Sequence, residues 1–215
     1  MTTQDDGLRA AADTMRAVRE RCVWSQRITH RDLVPYLIEE SHEVIDAVET
    51  GSRQDLREEL GDLLWQVLFH AAIAAQDPDD PFDIDDVAAT LTEKMVRRHP
   101  HVFADAVATT PEEVLVHWNA AKAAEKRTRT SALDGIPRGM PALALAQKML
   151  GRVPVSAAPP LASGESTGRA PASEAELGDA LLALVAAARE NGWDAERALR
   201  ERLRALEHEV RAAEA

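Results

Sequence analysis

The chain has 215 residues, of which 25 are Lys or Arg and 37 are Asp or Glu, giving a formal charge of −12. Apolar residues at 45% can supply a buried core, but no run approaches the ~18 consecutive apolar residues of a membrane span, and the acidic balance excludes general nucleic-acid binding, which needs phosphate neutralisation. The single cysteine, Cys22, excludes an internal disulfide framework, and the polar start from Met1 to Asp6 lacks the basic and apolar segments of a secretory signal, so a cytoplasmic location is expected.

Abundant Ala, Leu, Glu and Arg with only 4% aromatics predict an all-α fold, a helical bundle, and no segment reads as a strand. The first helix is expected over 7–22, where Leu8, Ala11, Ala12, Met15 and Val18 share one stripe. A second, over 31–49, carries Leu33, Leu37, Ile38, Val44, Ile45 and Val48, with Pro35 acceptable in its first turn. After a turn at 50–52 comes the most apolar helix, 55–76, whose hydrophobic residues cover much of its circumference, as in the centre of a bundle. A fourth helix is expected over 83–99, and a fifth opens with Thr110 as N-cap and Pro111 in its first turn and runs to about 127.

Beyond residue 129 the pattern changes. In the 25 residues 151–175, Gly, Pro, Ser and Ala supply 17 and there is no aromatic, a composition that offers little apolar burial to offset ordering entropy. Residues 1–130 are therefore read as a catalytic helical domain, 131–175 as a partly disordered linker, and 176–215 as a degenerate helical half-repeat. The last assignment follows from Glu176-Leu177-Gly178-Asp179, which repeats Glu59-Leu60-Gly61-Asp62 and is likewise followed by an apolar run.

The chemistry concentrates in the first copy. Residues 39–62 hold nine acidic side chains against Arg53 and Arg57, a local charge of −7. Glu40 and Glu43 are three apart, so both emerge on one helical face, and Glu59 and Asp62 do the same on the next helix. If the turn at Gly51 folds these helices against each other, four carboxylates meet and repel unless a hard, oxygen-bound divalent cation lies between them. The competing reading is a solvated acidic face; the doubled pairing and Gly61, a helix-weakening residue inside the second pair, favour a site.

Glu39-Glu40-Ser41-His42-Glu43, a 15-residue spacer and Glu59-Leu60-Gly61-Asp62 resemble the Glu-Glu-x-x-Glu, Glu-x-x-Asp pattern of the all-α nucleoside triphosphate pyrophosphohydrolases, and within them the MazG family. The resemblance extends through 92–103 (Thr-Glu-Lys-Met-Val-Arg-Arg-His-Pro-His-Val-Phe), His117-Trp118 with Lys122, and 132–137 (Ala-Leu-Asp-Gly-Ile-Pro). It implies Mg²⁺, or Mn²⁺ in its place, held by Glu40, Glu43, Glu59 and Asp62; Lys94 and Arg98 on the triphosphate; Trp118 and Lys122 on the rest of the nucleotide; and a homodimer with a four-helix core. The implied reaction is Mg²⁺-dependent hydrolysis of an NTP or dNTP to the monophosphate and pyrophosphate, in nucleotide-pool housekeeping. Glu39 is a candidate for the general base, a further metal ligand or a structural acid, and His42 is a weaker base because adjacent carboxylates favour its charged form. Where the family has Cys-Pro-Trp-Asp this chain has Cys22-Val23-Trp24-Ser25, with Cys22 read as packed rather than nucleophilic. The alternatives are a phosphohydrolase acting on dUTP or phosphoribosyl-ATP, and a non-catalytic helical dimer serving as an adaptor.

Overall fold

The computed structural model describes residues 6–125, 131, 133–152 and 171–214. It divides into two compact units, 1–125 and 126–215, and the described residues contain helices and no strand. No helix among them is long and apolar enough to cross a membrane.

The first unit holds α1 (Gly7–Arg21), α2 (Val34–Glu49), α3 (Arg53–Ala74), α4 (Ile84–Arg98), the single turn α5 (Pro100–Phe103) and α6 (Pro111–Ala124), with a short 3-10 turn at Ser25–Arg27. Local chemistry sets the starts. The Asp6 carboxylate accepts from the Leu8 and Arg9 amides, and Ser52 with Asp55 and Asp83 with Asp86 form reciprocal capping boxes on α3 and α4. Thr110 caps α6 with Pro111 behind it, as expected. Gly51 allows the α2–α3 turn to close, since a Cβ there would stand 2.8 Å from Ala47 Cα and 2.9 Å from Ala47 O.

Burial follows from these helices. Met15 of α1, Leu33 and the α3 residues Leu68 and Phe69 form the core, with Leu64, Trp65, Ala72, Ile73 and Ile84 packed against it. Arg19 is buried yet charged; its Nε donates to Gln76 Oε1 (2.9 Å) and its Nη1 to the carbonyls of Ser25 and Ile28, so the loop after α1 is tied to the turn that follows α3. Cys22 is exposed, which corrects its reading as a packed residue: it is the C-cap of α1, and the neighbouring Ser25 takes the buried place, with Oγ donating to Val18 O. Ile38, Val48, Leu60 and Val67 stay exposed on α2 and α3, so part of the apolar circumference expected of α3 has no cover among the described residues.

The second unit contains α7 (Ala142–Leu150), α8 (Glu174–Glu190) and α9 (Ala195–Glu214). Helix α7 lies within the stretch 131–175 read above as a partly disordered linker. Ala and Leu fill most of 142–150, and the apolar side of this helix packs against α8 and α9 around Val185, which is 1% exposed. Gln147 fixes the α8–α9 turn by donating to Trp193 O and accepting from the Ala195 amide, while Gly192 occupies the left-handed region at φ +72°. The Gly/Pro/Ser-rich residues 153–170 lie outside the described residues.

Candidate active site

The short turn at Gly51 sets α2 and α3 side by side, and this brings the acidic pairs together. Glu40 and Glu43 of α2 and Glu59 of α3 each offer a carboxylate oxygen within 4.8 Å of the others. Glu40 and Glu59 are half-buried and Glu43 is exposed. Burial first, then the negative charges of Asp62 and Glu43, push the Glu40 carboxyl above its ordinary range; burial first, then Glu43 and Asp62, do the same to Glu59. Asp62 therefore sits within electrostatic reach of both, although its oxygens fall outside the close trio.

Beneath the trio lies Gln66, 5% exposed, whose Nε2 donates to Glu40 Oε1 at 3.5 Å while its own Oε1 is buried without a partner. The donor set fits a divalent cation. Its oxygens are hard, they converge, and their mutual repulsion is relieved by positive charge. Glu39 lies on the exposed side of α2 and is not part of the trio. His42 is exposed, and its Nδ1 faces Ile38 O at 2.7 Å, which fixes that nitrogen as the protonated one.

The basic and aromatic candidates gather separately, where α4 and α6 pack. Lys94 is half-buried and, among the described residues, makes no hydrogen bond or ion pair. One turn on, Arg98 is not the open cation that a phosphate ligand suggests: its Nε and Nη2 bind Glu125 at 3.2 and 2.5 Å, and its guanidinium lies 4.9 Å from the centre of the Trp118 ring. Arg97 joins the same carboxylate through Nε and Nη2 at 2.9 and 2.7 Å. Glu125 is consequently held down to about 2, by Arg98 first and then Arg97. His99 meets the Trp118 ring edge-on at 5.2 Å, and His101 and His117 continue the row of rings. Lys122 lies one turn beyond Trp118 on α6. Among the described residues, no ion pair joins the four acidic ligand candidates to Lys94, Arg97 or Arg98.

Sequence reasoning missed Glu125 and Arg97. The Arg97-Arg98 doublet was visible, but Glu125 lies 27 residues from Arg98 and reaches it only through the packing of α6 on α4.

The second copy of the acidic motif is built differently. Glu59 stands seventh in α3, whereas Glu176 stands third in α8, where its Oε2 accepts from the Ala172 amide at 2.7 Å and Ser173 Oγ accepts from the Glu176 amide. Glu176 is thus used as a helix cap, and Asp179 is exposed. No second group of three metal-ligating side chains occurs among the described residues.

The family model of the MazG nucleotide pyrophosphohydrolase domain matches residues 28–103, which include the acidic trio. The chain is 47% identical over 202 residues to the "Uncharacterized 26.1 kDa protein in blaB 3'region" of Streptomyces cacaoi, a match covering 94% of this chain and 80% of that one. It is 43% identical over 187 residues to the nucleoside triphosphate pyrophosphohydrolase of Mycolicibacterium smegmatis, covering 84% of this chain and 57% of the enzyme. With the Escherichia coli protein of the same name it shares 43% over 148 residues, covering 68% and 56%. The chain spans a little over half the length of these two enzymes. An all-α fold, paired acidic helices and matches of this extent lead to one assignment: the chain belongs to the MazG family of nucleotide pyrophosphohydrolases.

Proposed function

We propose that the chain hydrolyses nucleoside triphosphates, NTP or dNTP, to the monophosphate and pyrophosphate in a reaction that depends on Mg²⁺, with Mn²⁺ as substitute. The observation that carries this reading is the convergence of Glu40, Glu43 and Glu59 within 4.8 Å, with Asp62 in electrostatic reach. These carboxylates are the residues that would hold the metal. When bound, the cation would neutralise the phosphates and acidify the attacking water.

The chain's own groups account for the remaining tasks. The water oxygen attacks the α-phosphorus, the bond from that phosphorus to the bridging α–β oxygen breaks, pyrophosphate leaves, and the water's proton passes to a carboxylate. Glu39, exposed beside the trio, is the candidate acceptor. Lys94 and Arg98 supply positive charge for the triphosphate, and Trp118 with Lys122 supplies an indole and an ammonium for the nucleoside end. Ile38, Val48, Leu60 and Val67, exposed on α2 and α3, favour a homodimer in which a second copy covers them. Such an activity would serve housekeeping of the nucleotide pool.

The test is incubation of the purified chain with each NTP and dNTP, with and without Mg²⁺, and separation of products by ion-exchange chromatography. Monophosphate and pyrophosphate that require both Mg²⁺ and Glu59 are expected. A narrow response to dUTP or phosphoribosyl-ATP would restrict the substrate, and a folded, inactive chain would favour the adaptor reading.

A further inference from the structure

The Arg97–Glu125–Arg98 cluster contains more than a staple between two helices requires. One arginine on one carboxylate would tie α6 to α4 without leaving charge. Here two guanidiniums share a carboxylate, so an excess positive charge remains, and Lys94 adds another one turn away on α4.

The orientation matters as much as the charge. Arg98 meets Glu125 side-on, through Nε and Nη2, to both carboxylate oxygens. A guanidinium has five N–H groups, and this arrangement consumes one edge, leaving Nη1 and the outer Nη2 hydrogen. Arg97 also uses its Nε and Nη2, and its side chain is 53% exposed, whereas those of Arg98 and Glu125 are 12% and 18% exposed. The Arg98 guanidinium is further confined by the Trp118 ring, 4.9 Å away. Without Glu125, two adjacent like charges would have no common counter-charge and would splay towards solvent.

We propose that Glu125 is a positioning residue for anion recognition: it holds Arg97 and Arg98 side-on so that their remaining N–H groups, with the Arg98 guanidinium over the Trp118 ring, receive the phosphate oxygens of the nucleotide. The inference rests on the nucleotide hydrolysis proposed above and adds two residues, Glu125 and Arg97, to it. The depressed Glu125 pKa, about 2, keeps this carboxylate ionised throughout the range in which a triphosphate is fully charged.

The experiment uses the full chain, as wild type, Glu125→Gln and Glu125→Asp. Steady-state kinetics with Mg²⁺ and the best NTP are combined with calorimetric binding of inorganic triphosphate, and far-ultraviolet circular dichroism establishes that each variant is folded. Glu125→Gln is expected to raise KM about tenfold and to weaken triphosphate binding similarly, with kcat changed less than about threefold, as loss of uniform binding predicts. Glu125→Asp, which restores the charge on a shorter stem, should recover part of the loss. A staple alone would lower thermal stability in both variants and leave KM unmoved. An unchanged or lower KM in folded Glu125→Gln, with triphosphate binding intact, overturns the inference and leaves the proposed function standing. Should wild type neither turn over any NTP nor bind triphosphate, the proposed function fails and this inference with it. If Glu125→Gln does not fold, Glu125→Asp carries the test: a KM equal to wild type then overturns the inference, and a raised KM with kcat retained upholds it.

Discussion

The imidazoles of His30 and His70 lie parallel, 5.1 Å between centroids and tilted by 5°, with their Nδ1 atoms 2.8 Å apart. One Nδ1 must donate and the other accept, so the pair cannot carry two protons on those atoms. Burial, and then the charge of His30, lowers the His70 pKa from 6.5, while the nearby Asp77 carboxyl is pulled down first by the backbone amides of Asp79 and Asp80 and only last by His30. A folded pKa below the unfolded one contributes stability that is present above 6.5 and lost as pH falls through the depressed value. The melting temperature of wild type should therefore decline below pH 6.5, and His70→Gln should flatten that decline. Thermal melts from pH 7.5 to 5 check this, and parallel declines in the two proteins would disprove it.

A divalent cation should act on stability through the acidic trio. Excess Mg²⁺ at about 100 times its Kd is expected to stabilise the chain by roughly 2.7 kcal/mol, reversed by chelation. Glu59→Gln should shift the metal-free protein the other way from a usual core variant: it removes a repelling charge, so the melting temperature rises slightly while the Mg²⁺ response disappears. Calorimetric melts with Mg²⁺ or EDTA test both halves.

Much of this arrangement was legible because it is local. The cap at Thr110, the turn at Gly51 and the three-residue spacing of Glu40 with Glu43 all act within a few residues, so periodicity and helix geometry suffice to place them. Tertiary placement was less accessible. Asp62 shares a helical face with Glu59 but stays outside the close trio, because side-chain direction at the packed surface decides which oxygens meet. Helix α7 was obscured because the Gly/Pro/Ser-rich residues that follow it dominated the composition of its surroundings. Glu176 repeats Glu59 in sequence yet stands in a first turn, where a capping hydrogen bond claims it.

Two glycines on neighbouring elements should respond oppositely to alanine. At Gly51 a Cβ would collide with Ala47 backbone at 2.8 Å, so Gly51→Ala should destabilise by about 1–3 kcal/mol. At Gly61 a Cβ would meet nothing within 4 Å of its own chain, so Gly61→Ala should stabilise by about 0.5–1 kcal/mol through helix propensity. Urea unfolding of both variants reads the difference, and a destabilised Gly61→Ala would contradict the open surroundings.

One turn of α3 separates Asp55, whose carboxyl is pulled down by hydrogen bonds from the backbone and side chain of Ser52, from Glu59, whose carboxyl is pushed up by burial and neighbouring charge. The helix consequently loses its protons in order, first at the capped end and then at the crowded one. A proton or cation arriving at the fully ionised helix therefore finds its stronger base at Glu59, four residues from an acid already committed to holding the helix start. The dense negative charge of this segment is thus divided by task, with structural anions that resist titration beside others that remain receptive.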